Sequence, residues 1–246
     1  MPAVSASPTP FQGLWIPLVT PFHDGAVDHP SLARMTKKLA GQGIAGFVAC
    51  GSTGEAAALD KAEQLAVLET VLDASQGLPV VMGLSGYHLG QTQEWVQTLA
   101  QYPLAGLLVP APHYIRAIKD CGGNAANTQE LIADGRLAVL AGEDAQMFTT
   151  LALGGHGAIA ASAHWQAPRF VALMELLRAG DLPEARRVWQ ALLPWVEACF
   201  AEANPAPLKA VLAHAGWMRN ELRAPMTAAS AALEQRLQAL PGLSPR

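Results

Sequence analysis

Lys119 is the residue whose type and surroundings most clearly suggest chemistry. The chain has only five lysines, and this one follows Ala117 and Ile118 in an apolar run that predicts a buried strand. Partial desolvation at such a position favours the neutral amine, which can attack a carbonyl carbon and form a Schiff base. A lysine at a strand end can instead extend into solvent or pair with Asp120, and the residues alone leave these alternatives open.

Residues 51–55 form a second candidate, with the sequence Gly-Ser-Thr-Gly-Glu between an apolar run and a predicted helix. Backbone N–H groups and the hydroxyls of Ser52 and Thr53 could bind a small anion there. An ordinary turn with Glu55 as a structural hydrogen-bond acceptor explains the same residues equally well. Both interpretations are retained.

Tyr114 follows Pro112 and His113 at the end of an apolar segment, where it could relay protons or simply pack. The seven histidines show no HxxxH or HExxH spacing, so no metal site is expected. The glycines of residues 41–46 match GxGxxG, but they follow a predicted helix and precede a predicted strand. This order is the reverse of a dinucleotide-binding turn, so we expect a helix C-terminus and no cofactor.

Short apolar runs alternate with helix-period segments over most of the chain. The strand predictions cover residues 14–19, 46–50, 79–83, 106–109, 117–119, 137–141 and 158–161. This alternation predicts a parallel α/β sheet, with a closed (β/α)8 barrel as the leading architecture and a doubly wound open sheet as the alternative. Beyond about residue 178 the pattern is helical only. We therefore expect a barrel over residues 1–179 and a C-terminal helical region over residues 180–246.

One spacing is too short for a barrel. Only Ile115 and Arg116 separate Tyr114, at the end of one strand region, from the strand that begins at Ala117. A crossover between parallel strands needs at least about ten residues, including its helix. Either a unit is absent here or the two strands are not neighbours in the sheet.

Composition excludes several classes of protein. The chain has 246 residues, 51% hydrophobic and 15% charged, with a net charge of -4. These values exclude a nucleic-acid binder that depends on net basicity and a disordered chain. Three distant cysteines, no signal-like N-terminus and a proline-broken apolar run at 95–115 predict a cytoplasmic protein without a membrane partner.

In the types and order of its motifs, the chain resembles the dihydrodipicolinate synthase / N-acetylneuraminate lyase family of Schiff-base class I aldolases. The resemblance is carried by residues 13–22, 51–55, 109–116, 118–120, 142–144, 153–159, 204–209 and 225–227. It implies a (β/α)8 barrel with a C-terminal helical extension, in which a lysine condenses with pyruvate. It also implies a homo-oligomer, a tetramer or a dimer.

The residues that the resemblance places in the site are Lys119, Tyr114, Ser52, Thr53, Gly142 and Ile159. By this resemblance Lys119 is the Schiff-base lysine, and Tyr114 is a proton relay that reaches a neighbouring subunit's site. Ser52 stands where the family usually has a relay threonine. Ser52 and Thr53 would hold the pyruvate carboxylate, and Gly142 and Ile159 would line the pocket.

The chain departs from the family between Arg116 and Ala117. Members normally carry a helix, a strand that ends in a Tyr-Asn-x-Pro-like motif with an arginine soon after, and a second helix there. The second relay tyrosine and the arginine, which distinguishes the dihydrodipicolinate synthases, have no counterpart. The expected fold is therefore an α/β (β/α)8 barrel that lacks one strand and two helices.

The implied function is condensation of pyruvate with L-aspartate-4-semialdehyde to 4-hydroxy-tetrahydrodipicolinate, in lysine biosynthesis. Two alternatives stay open. One is another pyruvate aldolase with a different aldehyde, and the other is a catalytically dead member that acts as a binding or scaffold protein. The expected partners are pyruvate and a small aldehyde, with neither nucleic acid nor membrane.

Overall fold

The computed structural model describes residues 11–84, 89–109 and 115–240 of the chain. Its strands are β1 Gly13–Pro17, β2 Phe22–His23, β3 Ala26–Val27, β4 Gly46–Ala49, β5 Val80–Gly83, β6 Gly106–Leu108, β7 Ala117–Asp120, β8 Ala138–Ala141 and β9 Gly157–Ile159. Its helices are α1 His29–Ala40, α2 Lys61–Ala74, α3 Leu89–Leu99, α4 Ala125–Asp134, α5 Met147–Ala152, α6 Ala167–Ala179, α7 Leu182–Cys199, α8 Ala206–His214 and α9 Ala231–Gln238. Each of the seven predicted strands is present, with ends that differ from the prediction by no more than two residues.

In the part of the chain that the structure describes, the main sheet has seven strands in the order β6-β5-β4-β1-β9-β8-β7, and its pairs are parallel. The first strand pairs with the last, since Trp15 of β1 lies opposite Ile159 of β9 and Gly46 of β4. Consecutive strands remain neighbours on both sides of β1, as they do around a barrel. The doubly wound alternative is therefore wrong, and the barrel prediction is confirmed in an incomplete form.

Within the described residues, the sheet is open between β6 and β7. These strands are its two edges, and the connection between them comprises only residues 109–116. A complete barrel would place one more strand here and join it by two helices. The break therefore lies where the short spacing predicts it.

Side chains on alternate residues of each strand face opposite sides of the sheet. Those that face the barrel interior form a small buried cluster of Trp15, Val48, Val81, Ala138, Leu140 and Ile159. Their neighbours on the strands, such as Ile16 and Phe47, pack outward against the helices in a much larger core. The sheet thus has two apolar faces, as a parallel sheet covered by helices requires.

Two helix ends are defined by local backbone and side-chain structure. Asp60 caps α2, because its side chain accepts a hydrogen bond from the Glu63 N–H while the Glu63 side chain accepts one from the Asp60 N–H. Gly41 is the C-cap residue of α1, so the GxGxxG segment is a helix end followed by β4.

The predicted boundary near residue 180 falls between α6 and α7, where Gly180 adopts a left-handed conformation with φ +76°. Buried residues of α7 and α8, including Trp195 and Leu212, belong to the same core as Phe170 of α6. The division into two domains therefore stays a prediction. None of the described helices is long and apolar enough to cross a membrane.

Candidate active site

Lys119 is the third residue of β7 and is partly buried. Ala117, two residues earlier, packs against the interior cluster, so the alternation of the strand turns Lys119 toward the barrel interior as well. Asp120 faces the other way, where its carboxylate accepts hydrogen bonds from the Gly122 N–H (3.0 Å) and the Thr128 hydroxyl of α4. Asp120 is therefore directed away from the lysine, and the alternative of a Lys119–Asp120 pair does not occur.

Gly142 supports the lysine from the end of β8. Its N–H donates to the Asp120 carbonyl oxygen at 2.8 Å, which continues the β7–β8 ladder. A methyl group on its Cα would lie 2.7 Å from Cγ and 2.9 Å from Cε of Lys119, and would also overlap the Cys121 sulfur. The lysine stem thus lies directly across this glycine, and only a residue without a side chain leaves room for it.

Gly142→Ala is expected to displace Lys119 and to slow imine formation with a 2-oxo acid by roughly tenfold to a hundredfold. The added methyl cannot be accommodated unless the lysine stem or the Cys121 side chain moves. The measurement is the rate at which a carbonyl adduct is trapped by borohydride. Gly41→Ala is the matched control, because the nearest atom to its new methyl lies 3.9 Å away. If Gly142→Ala were trapped at the same rate as the wild type, the placement of the lysine would be contradicted.

Asp144 is a buried carboxyl group close to the lysine that the site prediction did not include. It accepts hydrogen bonds from the Ser162 N–H (2.7 Å) and hydroxyl (2.6 Å). Burial raises the pKa of Asp144 to about 6, although the Ser162 hydrogen bonds and the charge of Lys119 act in the opposite direction. A carboxyl group with this pKa can exchange protons near neutral pH. The only sequence signal for it was its place in the 142–144 motif.

The Ser52–Thr53 loop lies at the carboxyl end of β4. Ser52 is exposed and begins a short 3-10 helix, Ser52–Gly54, whereas Thr53 is buried. Cys50, two residues before the helix, and Glu55, directly after it, have φ of 51° and 52° although neither is glycine. Left-handed backbone at non-glycine residues is strained and is held only by its surroundings.

The C-terminal helical region supplies those surroundings. Asn204 donates to the Thr53 hydroxyl at 3.0 Å. Glu55 forms a fully buried ion pair with Lys209 of α8, and it also accepts the Arg223 N–H at 3.1 Å. The Lys209 amine donates in addition to the Glu221 carbonyl oxygen at 2.9 Å. Glu55 is thus a structural acceptor, and it fixes the loop that carries Ser52.

The site residues fall into two groups in the structure. Lys119 and Ile159 line a cavity of about 770 Å³, and Gly142 contacts the lysine. We call this space the seam cavity; it lies between β6 and β7, and its lining includes Val81, Leu107, Ile118, Lys119, Leu140 and Ile159. Ser52 and Thr53 follow β4 at the same, carboxyl end of the barrel, but they are not among the described residues that line the cavity. Tyr114 lies outside the described residues.

His164 is a second buried polar residue that sequence reasoning treated as an isolated histidine. Its Nε2 accepts the Val19 N–H at 3.2 Å, and its Nδ1 lies 2.8 Å from the Ala161 carbonyl oxygen. Complete burial lowers the pKa of His164 to about 4, so the ring is neutral at neutral pH and Nδ1 carries the proton. The ring therefore links the segments that follow β1 and β9, where the first and last strands meet.

His164 is expected to make the fold sensitive to acid. Its pKa is lower in the folded chain than the ordinary value of 6.5, so its contribution is complete above pH 6.5 and is lost as the pH falls toward 4. His164→Asn keeps an acceptor for Val19 but does not titrate. Relative to wild type, the variant should gain roughly 2 to 3 kcal/mol of unfolding free energy between pH 7.5 and 4.5.

The check is urea unfolding of both proteins at the two pH values. The raised pKa of Asp144 acts in the opposite sense, since its contribution is complete below 3.8 and is lost as the pH rises through 6. Comparing variant with wild type at each pH cancels the Asp144 contribution. Parallel pH profiles for the two proteins would contradict the assignment to His164.

Comparison of the sequence with models of known protein families shows which family the chain belongs to. The model of the dihydrodipicolinate synthetase family matches residues 10–117 and again 115–241. The chain belongs to the dihydrodipicolinate synthetase family. Its two matched segments meet at residues 115–117, where the barrel is open, and the resemblance drawn from the motifs is confirmed.

Curated relatives of this family member are aligned over most of their length. 4-Hydroxy-tetrahydrodipicolinate synthase 2 of Clostridium acetobutylicum is 27% identical over 279 residues, which cover 92% of this chain and 98% of the relative. The synthase of Sorangium cellulosum is 30% identical over 286 residues, covering 94% and 95%. Both alignments are longer than the 246-residue chain, so each relative contains residues that the chain lacks.

Solved structures show the same fold. A monomeric dihydrodipicolinate synthase variant superposes with a TM-score of 0.88 at 23% identity, over 96% of this chain and 98% of the other. Dihydrodipicolinate synthase of Thermotoga maritima gives 0.88 at 22% identity, over 94% and 97%. The open sheet of this family member is therefore the barrel of these proteins with a part missing.

Proposed function

We propose that the chain is a pyruvate-dependent lyase in which Lys119 forms a Schiff base with the 2-oxo carbon of pyruvate. The observation that carries this proposal is the inward-facing Lys119 laid across Gly142, with Asp120 engaged elsewhere. The ketimine is then condensed with L-aspartate-4-semialdehyde to 4-hydroxy-tetrahydrodipicolinate, the activity for which the relatives are named.

Each step has a candidate group in the chain. The Lys119 amine adds to the carbonyl carbon, and loss of one water molecule gives the ketimine. The pyruvate carboxylate is held by the backbone N–H groups and hydroxyls of Ser52 and Thr53 at the same end of the barrel. Ser52 moves protons as the methyl carbon is deprotonated and attacks the aldehyde. The amino group of the condensed aldehyde substrate then attacks the imine carbon and closes the ring, which releases the Lys119 amine without a further water molecule. No cofactor is required.

Tyr114 is proposed to complete a proton relay in the site of a neighbouring subunit, as the family resemblance implies. This role requires a homo-oligomer, a dimer or a tetramer, of the chain. We place the enzyme in the cytoplasm, in lysine biosynthesis. Its partners are pyruvate and a small aldehyde, without nucleic acid or membrane.

The open barrel favours a second candidate. The absent segment would carry the second relay tyrosine and the arginine that binds the carboxylate of the aldehyde substrate. A protein without them that still forms the imine is either an aldolase for an aldehyde without that carboxylate or a catalytically dead binding protein. Each of these candidates retains the Lys119 imine, and they differ only in the fate of that imine.

The test is borohydride reduction of the chain in the presence of pyruvate, followed by intact-mass and peptide analysis. A stable adduct on Lys119 is the expected result. Adducts on Lys37, Lys38, Lys61 or Lys209 instead would overturn the assignment. Turnover assays with several aldehydes then separate the candidates, since a dead binding protein forms the adduct but consumes no aldehyde.

A further inference from the structure

The seam cavity has no counterpart in a complete eight-stranded barrel, whose interior is filled by side chains. Here the space between β6 and β7 is continuous with that interior, and its volume of about 770 Å³ lies in the range of small-molecule sites. The methyl group of pyruvate would fill only a small part of it. The cavity therefore raises the question of which ligand fits it.

The walls of the cavity are apolar. Its base is the buried interior cluster, through Trp15, Val48, Val81, Leu140 and Ile159. Its sides are partly buried residues of the two edge strands, including Leu107, Leu108 and Ile118. Phe11 extends the aromatic surface, with its ring centroid 5.7 Å from that of Trp15 and the two planes tilted by 42°. A planar apolar group fits such walls, since aromatic rings pack favourably in tilted or offset geometries at this separation.

The charge at the cavity is of one sign. Lys119 and Arg116 are the charged residues among its described lining, and none of the described lining residues is acidic. An anion is therefore favoured over a cation or a neutral ligand. Lys119 also supplies an amine that can attack a ketone. A ligand that matches the apolar walls, the positive charge and this amine is therefore an apolar anion that carries a ketone.

We propose that the seam cavity binds an aromatic 2-oxo acid, with its ring against Phe11 and the partly buried aliphatic side chains of β6 and β7, and with its 2-oxo carbon bonded to Lys119. The proposal rests on the Schiff-base chemistry proposed above. The amine adds to the ketone, and one water molecule leaves as the ketimine forms. The step needs neither oxidant nor reductant. The missing strand thus widens the range of carbonyl compounds that the lysine accepts.

The probe is phenylpyruvate, compared with pyruvate, in borohydride trapping read by intact mass. Burial of the ring should lower the half-saturating concentration at least tenfold for phenylpyruvate. Val81→Phe fills the cavity from β5 and should lose this preference at least tenfold while still trapping pyruvate. Leu153→Phe adds the same ring at an exposed position and is the matched control.

Trapping of pyruvate by Val81→Phe shows that the variant is folded. If pyruvate trapping is lost, Leu108→Phe on the edge strand β6 replaces it, because Leu108 is only partly buried and lines the same cavity. A pyruvate adduct on Lys119 with no tighter phenylpyruvate binding would overturn this inference and leave the proposed function standing. The inference would also be overturned if the phenylalanine variants in the cavity preferred phenylpyruvate over pyruvate as strongly as the wild type does. A phenylpyruvate adduct without a pyruvate adduct would support the inference and refute the proposed pyruvate chemistry.

Discussion

Lys119→Arg is expected to abolish the pyruvate adduct and to reduce kcat/KM on the order of a thousandfold or more. A guanidinium keeps the positive charge but is never deprotonated near neutral pH, so it cannot attack a carbonyl carbon. The charge at the seam cavity is retained, and the loss therefore reports on nucleophilicity rather than on anion binding. The measurements are adduct mass and turnover under saturating pyruvate.

Lys61→Arg is the matched control for this substitution. Lys61 is exposed at the start of α2, where its amine lies 5.3 Å from the centroid of the Trp95 ring. The same change of side chain at this position should leave both readouts within about twofold. Turnover by Lys119→Arg at the level of the control would refute covalent catalysis at this residue.

Lys209→Met is expected to reduce the free energy of unfolding by about 3 to 5 kcal/mol, because it leaves the buried carboxylate of Glu55 without its partner. Neither side chain is accessible to water, so solvent cannot replace the lost interaction. The measurement is urea unfolding at neutral pH. The loss should also displace the Ser52–Thr53 loop, which Glu55 fixes.

The control for the buried pair is the double variant Glu55→Gln/Lys209→Met. Removing both charges should restore much of the stability, since replacing a buried ion pair by uncharged residues is often close to neutral. A double variant no more stable than Lys209→Met would show that the lysine acts through packing, including the Phe22 ring 4.3 Å from its amine, and not through Glu55.

Local patterns made much of the fold predictable. The strands are short runs of apolar residues, and burial on both faces of a parallel sheet selects such runs. The cap at Asp60 and the helix end at Gly41 result from hydrogen bonds between residues a few positions apart. The break before Ala117 was predictable because the reach of a crossover connection is a property of chain geometry.

The candidate site was predictable only in part. The alternation of β7 indicates which way Lys119 points, and glycine at 142 is explained once the lysine stem lies across it. The support of the Ser52–Thr53 loop could not be foreseen, because Asn204 lies 151 residues from Thr53 in the sequence. Likewise, only the fold determines that His164 is buried rather than exposed.

The place of β1 in the sheet determines the order in which the nascent chain can complete its structure. β1 is synthesised first, yet its second neighbour, β9, emerges only near residue 159, and the partner of Glu55 only at Lys209. At a translation rate of about 5–20 residues per second, the interval between β1 and Lys209 is roughly 10–40 s. Throughout it the growing polypeptide exposes unpaired strand edges, and Glu55 lacks the partner that allows its carboxylate to be buried. Protection by chaperones during synthesis therefore matters more for this protein than for one built from local contacts.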